Sequence, residues 1–296
     1  MNAGERGFLM LTSQLGNPER KSLTVAQFRV LADRTGQMKE TGQDRELSAD
    51  DLVALGYDRA MASRIVALLE DEDLLDRYLD RGNHQDCFPI TRVNPDYPLA
   101  VRQRLGLNAP GCLWGKGDIS LLQTQKIALV GSREVKEPNR NFAMQVGFEA
   151  ARQGITLVSG NARGADRLAQ EACLEHGGNV ISVVADELQK HPLKKHVLYL
   201  SEDSFDQPFS AQRALSRNRV IHTLGSLVIV AQCDFGAGGT WDGTTKNLQH
   251  SWCPVFCFDD RSQGAEELEQ MGATRISPEQ LSDFPSLQCK FQSLFE

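Results

Sequence analysis

From Lys126 onward one pattern repeats: a short run of apolar, β-favouring residues, then a stretch with helical spacing. "KIALV", "ITLVS" (Ile155–Ser159), "NVISVVA" (Asn179–Ala185), "SLVIVAQ" (Ser226–Gln232), "PVFCF" and "ATRIS" read as strands. The intervening segments Asn139–Gln153, Ala165–His176, Ser210–Leu224, Thr240–His250 and Gly264–Met271 read as helices. Strands this uniformly apolar must be covered on both faces, and strands that alternate with helices pair in parallel. The pattern predicts an α/β fold, a doubly wound parallel sheet from about Lys126 to Ser277. In such sheets ligands bind beyond the carboxyl ends of the strands.

The first 85 residues differ. "LTVAQFRVLADRT", "LSADDLVALG" and "DRAMASRIVALLEDEDLLDRYLDRG" have helical apolar spacing, with Ser48 placed to cap a helix ahead of Asp50 and Asp51. The polar stretch "GQMKETGQDRE" between the first two reads as a loop. The proline-punctuated segment "FPITRVNPDYPLAVRQRLGLNAPGCLWGKGD" reads as a connection, with the sheet starting after it. The expected organisation is a smaller N-terminal helical region over residues 1–85 and an α/β domain over residues 86–296.

The formal net charge of −7 argues against a surface coated in nucleic acid, but its distribution is uneven. Residues 126–219 carry 13 Lys/Arg against 11 Asp/Glu, whereas residues 220–296 carry 4 against 10. An anionic ligand would therefore need a local basic pocket in the middle segment. The seven cysteines are scattered without zinc-ligand spacing and read as reduced, buried thiols. There is no run of about 18 apolar residues for a membrane span, and the N-terminus makes a poor signal peptide. The expectation is a cytoplasmic protein with no membrane partner.

Four polar clusters fall at predicted strand ends, the third of them inside a helical pattern just before a strand. Gly131, Ser132 and Arg133 follow "KIALV": glycine lets backbone amides approach an oxyanion, and arginine can fork onto a phosphate. "SGNARGAD" follows "ITLVS" and supplies Ser159, Gly160, Arg163, Gly164 and Asp166 before an electropositive helix start. "RNR" supplies Arg217, Asn218 and Arg219 ahead of "SLVIVAQ", and "GAGGT" supplies Gly238, Gly239 and Thr240 after it. Each cluster alone has a plain reading as a turn, a cap or a solvated face. Together, at one end of one sheet, they predict an anion pocket in which Arg133, Arg163 and Arg217 converge. Gly238, Gly239 and Thr240 are expected to add an amide-lined turn. Catalytic machinery is not expected: no histidine sits in a metal-ligand spacing, no Walker A sequence occurs, and Asp166 reads better as a bracing residue than as a general base. No cofactor and no metal are expected.

These motifs, in this order, resemble the DprA/Smf family of DNA-processing proteins, within the wider Rossmann-like set that holds the LOG-type phosphoribohydrolases. "VNPDYPLAVRQRL", "LWGKGD", "VGSR", "LVSGNARGAD", "GGNVISVV", "HPLKKHVLYLSED" and "SRNRVI" carry the resemblance over roughly residues 88–260. It implies a dimeric single-stranded DNA-binding protein that protects strands and helps load a RecA-type recombinase, with phosphates in the pocket described above. Lys194 and Lys195 lie where the family has a Tyr-Pro-x-x-Asn stretch and join the implied site. This chain departs from the family at Gln170, where a histidine is common, at His191, where a tyrosine is common, and in "GAGGTWDGTTKNL".

Two other functions stay open. One is a pocket for a nucleotide or nucleotide-derived molecule, as sensor or hydrolase, since "GGT" resembles the glycine-rich turn of LOG-type enzymes. Gly243 stands where that turn needs an acid. The other is an interaction subunit with a relict pocket. For strand binding, Phe205, Phe209, Phe235 and Trp241 are the candidate base platforms.

Overall fold

The computed structural model describes residues 1–36, 47–202 and 204–287. Five helices occupy the N-terminal region: α1 (Ala3–Thr12), α2 (Val25–Thr35), α3 (Ala49–Ala54), α4 (Arg59–Leu69) and α5 (Glu72–Asn83). Ser48 caps α3 as expected, in a reciprocal box with Asp51. The expected helix over Asp58–Gly82 is two, because the acidic run Glu70–Asp73 interrupts the apolar spacing. Most of the expected loop "GQMKETGQDRE" lies outside the described residues. Arg20, 8% exposed, ties this region together. Its guanidinium donates to the carbonyls of Met10, Ser13 and Leu68 and to Asp71.

The sheet has nine strands in the order β1-β2-β6-β5-β4-β3-β7-β8-β9. Its parallel body is β3 (Lys126–Val130), β4 (Thr156–Ser159), β5 (Val180–Val184), β6 (Val197–Glu202), β7 (Val228–Val230), β8 (Val255–Phe258) and β9 (Thr274–Ile276). In β3, Ile127 and Leu129 join one core and Ala128 and Val130 the other, so the uninterrupted apolar run serves two buried faces. The first face is covered by α7 (Glu137–Arg152) and α8 (Ala165–Glu175), through Phe142, Val146, Ala169 and Cys173. The second is covered by α6 (Leu99–Leu105), α10 (Asn218–Leu224) and α12 (Gln263–Gln270), through Val101, Ile221 and Leu268. The helix expected over Ser210–Leu224 is α9 (Ala211–Ser216) followed by α10, meeting at Arg217. Helix α11 (Gly238–His250) follows β7.

The segment read as a mere connection is not one. It supplies β1 (Phe88–Thr91) and β2 (Cys112–Gly117), which extend the sheet antiparallel along β6. The sheet therefore starts at Phe88 rather than after residue 118. Pro89 sits on the edge strand, where its missing N–H costs no ladder bond. Gly115 is needed because a Cβ there would fall 2.6 Å from the Phe88 ring. Trp114, fully buried, packs with Tyr78 of α5 and with Phe205. Among the described residues no helix is long and apolar enough to cross a membrane.

Candidate functional site

Beyond the carboxyl ends of β3, β4 and β5 lies a cavity of about 320 Å³. Arg133, Gly160, Asn161, Ala162, Arg163 and Arg217 line it, with Val184 to Asp186 and Phe209 as further wall. All three arginines expected to converge line this one cavity. They differ in kind. Arg133 is exposed, and Arg163 is exposed beside Glu134 at 3.4 Å. Arg217 is 8% exposed and passes directly over Gly160, where a Cβ would stand 1.7 Å from its Nη1.

Asp166 organises the loop under Arg217. Its carboxylate accepts from the amides of Gly160 (3.1 Å) and Ala162 (3.4 Å), so it offers a bound anion no donor. Burial pushes its carboxyl above the ordinary value, while Arg217 and the two amides pull it back. Burial likewise pulls the Arg217 guanidinium below its ordinary value, and its Nε has no partner among the described residues. Ser159, fully buried, ends β4 beneath this loop. Gly164 has φ of 90°, and a Cβ there would lie 2.5 Å from the carbonyls of Ser132 and Arg133. That contact locks the loop after β4 onto the loop after β3, as does the Ala165 amide on the Ser132 carbonyl (3.2 Å). Gly131 also serves packing, since a Cβ would stand 2.5 Å from that of Ala165. Ser132 faces Asp234, with its hydroxyl 3.3 Å from the carboxylate.

The remaining residues of the expected site lie elsewhere. Asn218 donates to the Gly239 carbonyl at 2.9 Å, and Arg219 pairs with the buried Glu202 at 3.3 Å. Gly238, Gly239 and Thr240 open α11 and do not line the cavity. The sheet order explains this: they follow β7, on the far side of β3 from β4 and β5. Lys194 lines a second cavity, and Lys195 is exposed and lines neither. Of the aromatic candidates, Phe205 is buried in the core and Phe209, 56% exposed, lines the cavity. Phe235 and Trp241 meet edge to face at 5.1 Å beside α11.

The expected list lacks Asp186, which lines the cavity and accepts from His191 Nε2 at 2.9 Å. That hydrogen bond holds its carboxyl below the usual range, which makes it a weak base. Its only sequence signal is its place just past the run "NVISVVA". Among the described residues no group of three or more His, Cys, Asp or Glu could hold a metal ion.

A family model described as DNA recombination-mediator protein A matches residues 89–285. The DNA processing protein DprA of Bacillus subtilis (strain 168) is 29% identical over 217 residues, covering 68% of this chain and 72% of that protein. Its counterpart in Streptococcus pneumoniae (strain ATCC BAA-255 / R6) is 28% identical over 186 residues, covering 57% and 64%. The X-ray structure of DprA from Streptococcus pneumoniae superposes with a TM-score of 0.67 at 23% identity, over 90% of this chain and 93% of that one. DNA processing protein A from Helicobacter pylori, solved for its single-stranded DNA binding mode, gives 0.57 at 24% identity, over 70% and 96%. These two superpositions share the fold.

Proposed function

The chain belongs to the DNA recombination-mediator protein A (DprA/Smf) family, and from that premise we propose that it binds single-stranded DNA without catalysing a reaction on it. In this reading strand phosphates enter the cavity of Arg133, Arg163 and Arg217, and the protein acts as a homodimer that passes strands to a RecA-type recombinase. The observation that carries the reading is that three arginines, Arg133, Arg163 and Arg217, line one cavity at the carboxyl end of a parallel sheet. A fork of N–H donors suits phosphate oxygens, and a pocket that reads phosphates does not depend on sequence. Phe209 at the rim offers an exposed ring to a base. The Helicobacter relative, described as a single-stranded DNA binder, supports the same reading.

A nucleotide-sized ligand is the second reading, favoured by a cavity of about 320 Å³, the low end for a small-molecule site. One titration separates the two. A labelled oligonucleotide should bind in preference to blunt duplex, and log K should fall with log salt at a slope of roughly −2 if about three phosphates are neutralised. Arg133→Ala should weaken binding and make the slope shallower by roughly 0.7. Binding unchanged by that substitution, or equal affinity for duplex, overturns the assignment. A nucleotide that binds where no oligonucleotide does would favour the second reading.

A further inference from the structure

One carboxylate stands in the wall of the arginine cavity. Among the described residues that line it, Asp186 alone carries a negative side chain. It lies two residues past the end of β5, and its side chain is 52% exposed. Its bonded partner is not an arginine of the cavity. Oδ1 accepts from His191 Nε2 at 2.9 Å, and the His191 ring stacks on Tyr199 with centroids 4.8 Å apart. The carboxylate is thus held from one side while half of the side chain stays open. It is close enough to Arg217 for the two charges to act on each other. Asp166 is the opposite case, a buried carboxylate already engaged by the amides of Gly160 and Ala162.

A carboxylate beside a phosphate site opposes the phosphate unless the ligand also brings it a donor. The part of a nucleotide joined directly to the phosphate is its sugar. Inside a DNA strand that sugar has no O–H. A ribose has its 2′-hydroxyl, the group by which a protein tells RNA from DNA. Dinucleotide-binding α/β sheets hold a ribose hydroxyl in the same manner, with an acidic side chain near a phosphate site. The remaining walls suit the remaining parts of a nucleotide: three arginines for the phosphate, and the exposed Phe209 ring for the base. Every base also carries a donor that a carboxylate could accept, so the base must be held constant in any test of the sugar.

We propose that Asp186 reads the sugar: its carboxylate accepts the 2′-hydroxyl of a ribonucleotide whose phosphate the arginines hold. The proposal rests on the reading of this cavity as a strand-phosphate site and adds to it a preference for ribose over deoxyribose. The ribonucleotide is either a link in an RNA strand or a free nucleotide, and the chemistry at Asp186 is the same for both.

The test is fluorescence anisotropy with labelled rU12 and dU12, which share a base and differ at the sugar. Removing a negative charge from an anion site tightens both strands alike, so the change in the rU12/dU12 affinity ratio carries the test. Asp186→Ala should lower that ratio about fivefold, the worth of one half-exposed hydrogen bond. Asp186→Asn keeps a neutral acceptor and should lower it about twofold. Melting curves report whether each variant is folded, and if the alanine variant does not fold the asparagine variant decides. UMP and dUMP, as competitors of labelled dU12, separate the two sources. A loss of ribose preference seen with the strands assigns the site to RNA, and one seen only with the mononucleotides assigns it to a free nucleotide. If both variants tighten dU12 and leave both ratios unchanged, Asp186 acts only as a charge, and the sugar reading is overturned while the strand reading stands. Failure of the unsubstituted protein to bind either strand or either nucleotide overturns both.

Discussion

Gly160 and Arg217 set the terms of the site at the scale of single residues. The guanidinium occupies the space a Cβ at residue 160 would need, only 1.7 Å away. Gly160→Ala should therefore drive Arg217 out of its place and weaken strand binding about tenfold or more, since charge-assisted bonds depend on their geometry. Anisotropy titration beside a melting curve checks it, and near-normal affinity would show that Arg217 is dispensable. Arg217 itself is a cost to the fold: it is buried and its Nε is unpartnered. It is also the countercharge of Asp166. In Arg217→Met the Asp166 carboxyl, already raised by burial, should rise further. A carboxyl raised in the folded state stabilises below its unfolded value, and the gain is lost as pH rises through the folded value. The variant should therefore lose stability relative to the unsubstituted protein as pH rises from 5 to 7.5. Denaturant melts at the two pH values measure the difference, and a difference that does not grow with pH would mean that Asp166 is held by its amides alone.

At the scale of elements, the closeness of α7 and α8 is set by Gly147. A Cβ there would stand 2.0 Å from the Ala169 carbonyl, which is backbone and cannot swing aside. Gly147→Ala should destabilise the fold by about 1–3 kcal/mol, the usual cost of overpacking. Strand affinity below the melting range should stay intact. A thermal melt with a titration at low temperature checks both halves. The same elements show what a reader of the sequence could see. Strands β3, β4, β5, β7 and β8 were legible because burial on both faces makes their runs continuously apolar. β1 and β2 were not, because "FPIT" holds a proline and "CLWGKG" holds two glycines and a lysine. Their strand character comes from pairing with each other and with β6, residues far along the chain. β6 is not legible either, because "VLYLSE" ends in polar residues that only tertiary contacts bury, Glu202 through Arg219 and Ser216. In the site, arginine at 133, 163 and 217 was legible from residue type and strand ends. The separation of Gly238–Thr240 from the cavity was not, since it depends on strand order, which local pattern does not encode.

For the whole molecule, the helical region and the sheet share a core. Tyr78 of α5, Trp114 of β2 and Phe205 pack as one aromatic cluster, with Trp114 and Phe205 centroids 4.7 Å apart, and the Tyr78 hydroxyl lies 3.0 Å from that of Ser204. We propose that the division between residues 85 and 86 is one of architecture and not of independent folding. A fragment of residues 86–296 would bare Trp114 to water. It should bind a dye specific for exposed apolar surface and elute as aggregate in gel filtration, where the full chain does neither. A fragment that stays monomeric and dye-silent would show that the sheet region is self-sufficient.

The antiparallel pair at the sheet's edge also bears on how the chain is made. On the ribosome β2 emerges about 80 residues before β6, the strand it must lie against. Until Val197 and its neighbours leave the exit tunnel, Trp114 and the helices behind it have only β1 to lean on. The chain up to β2 thus waits, half-covered, for a strand that lies two-thirds of the way along it, and in that interval a nascent chain of this design is open to proteases and in need of a chaperone.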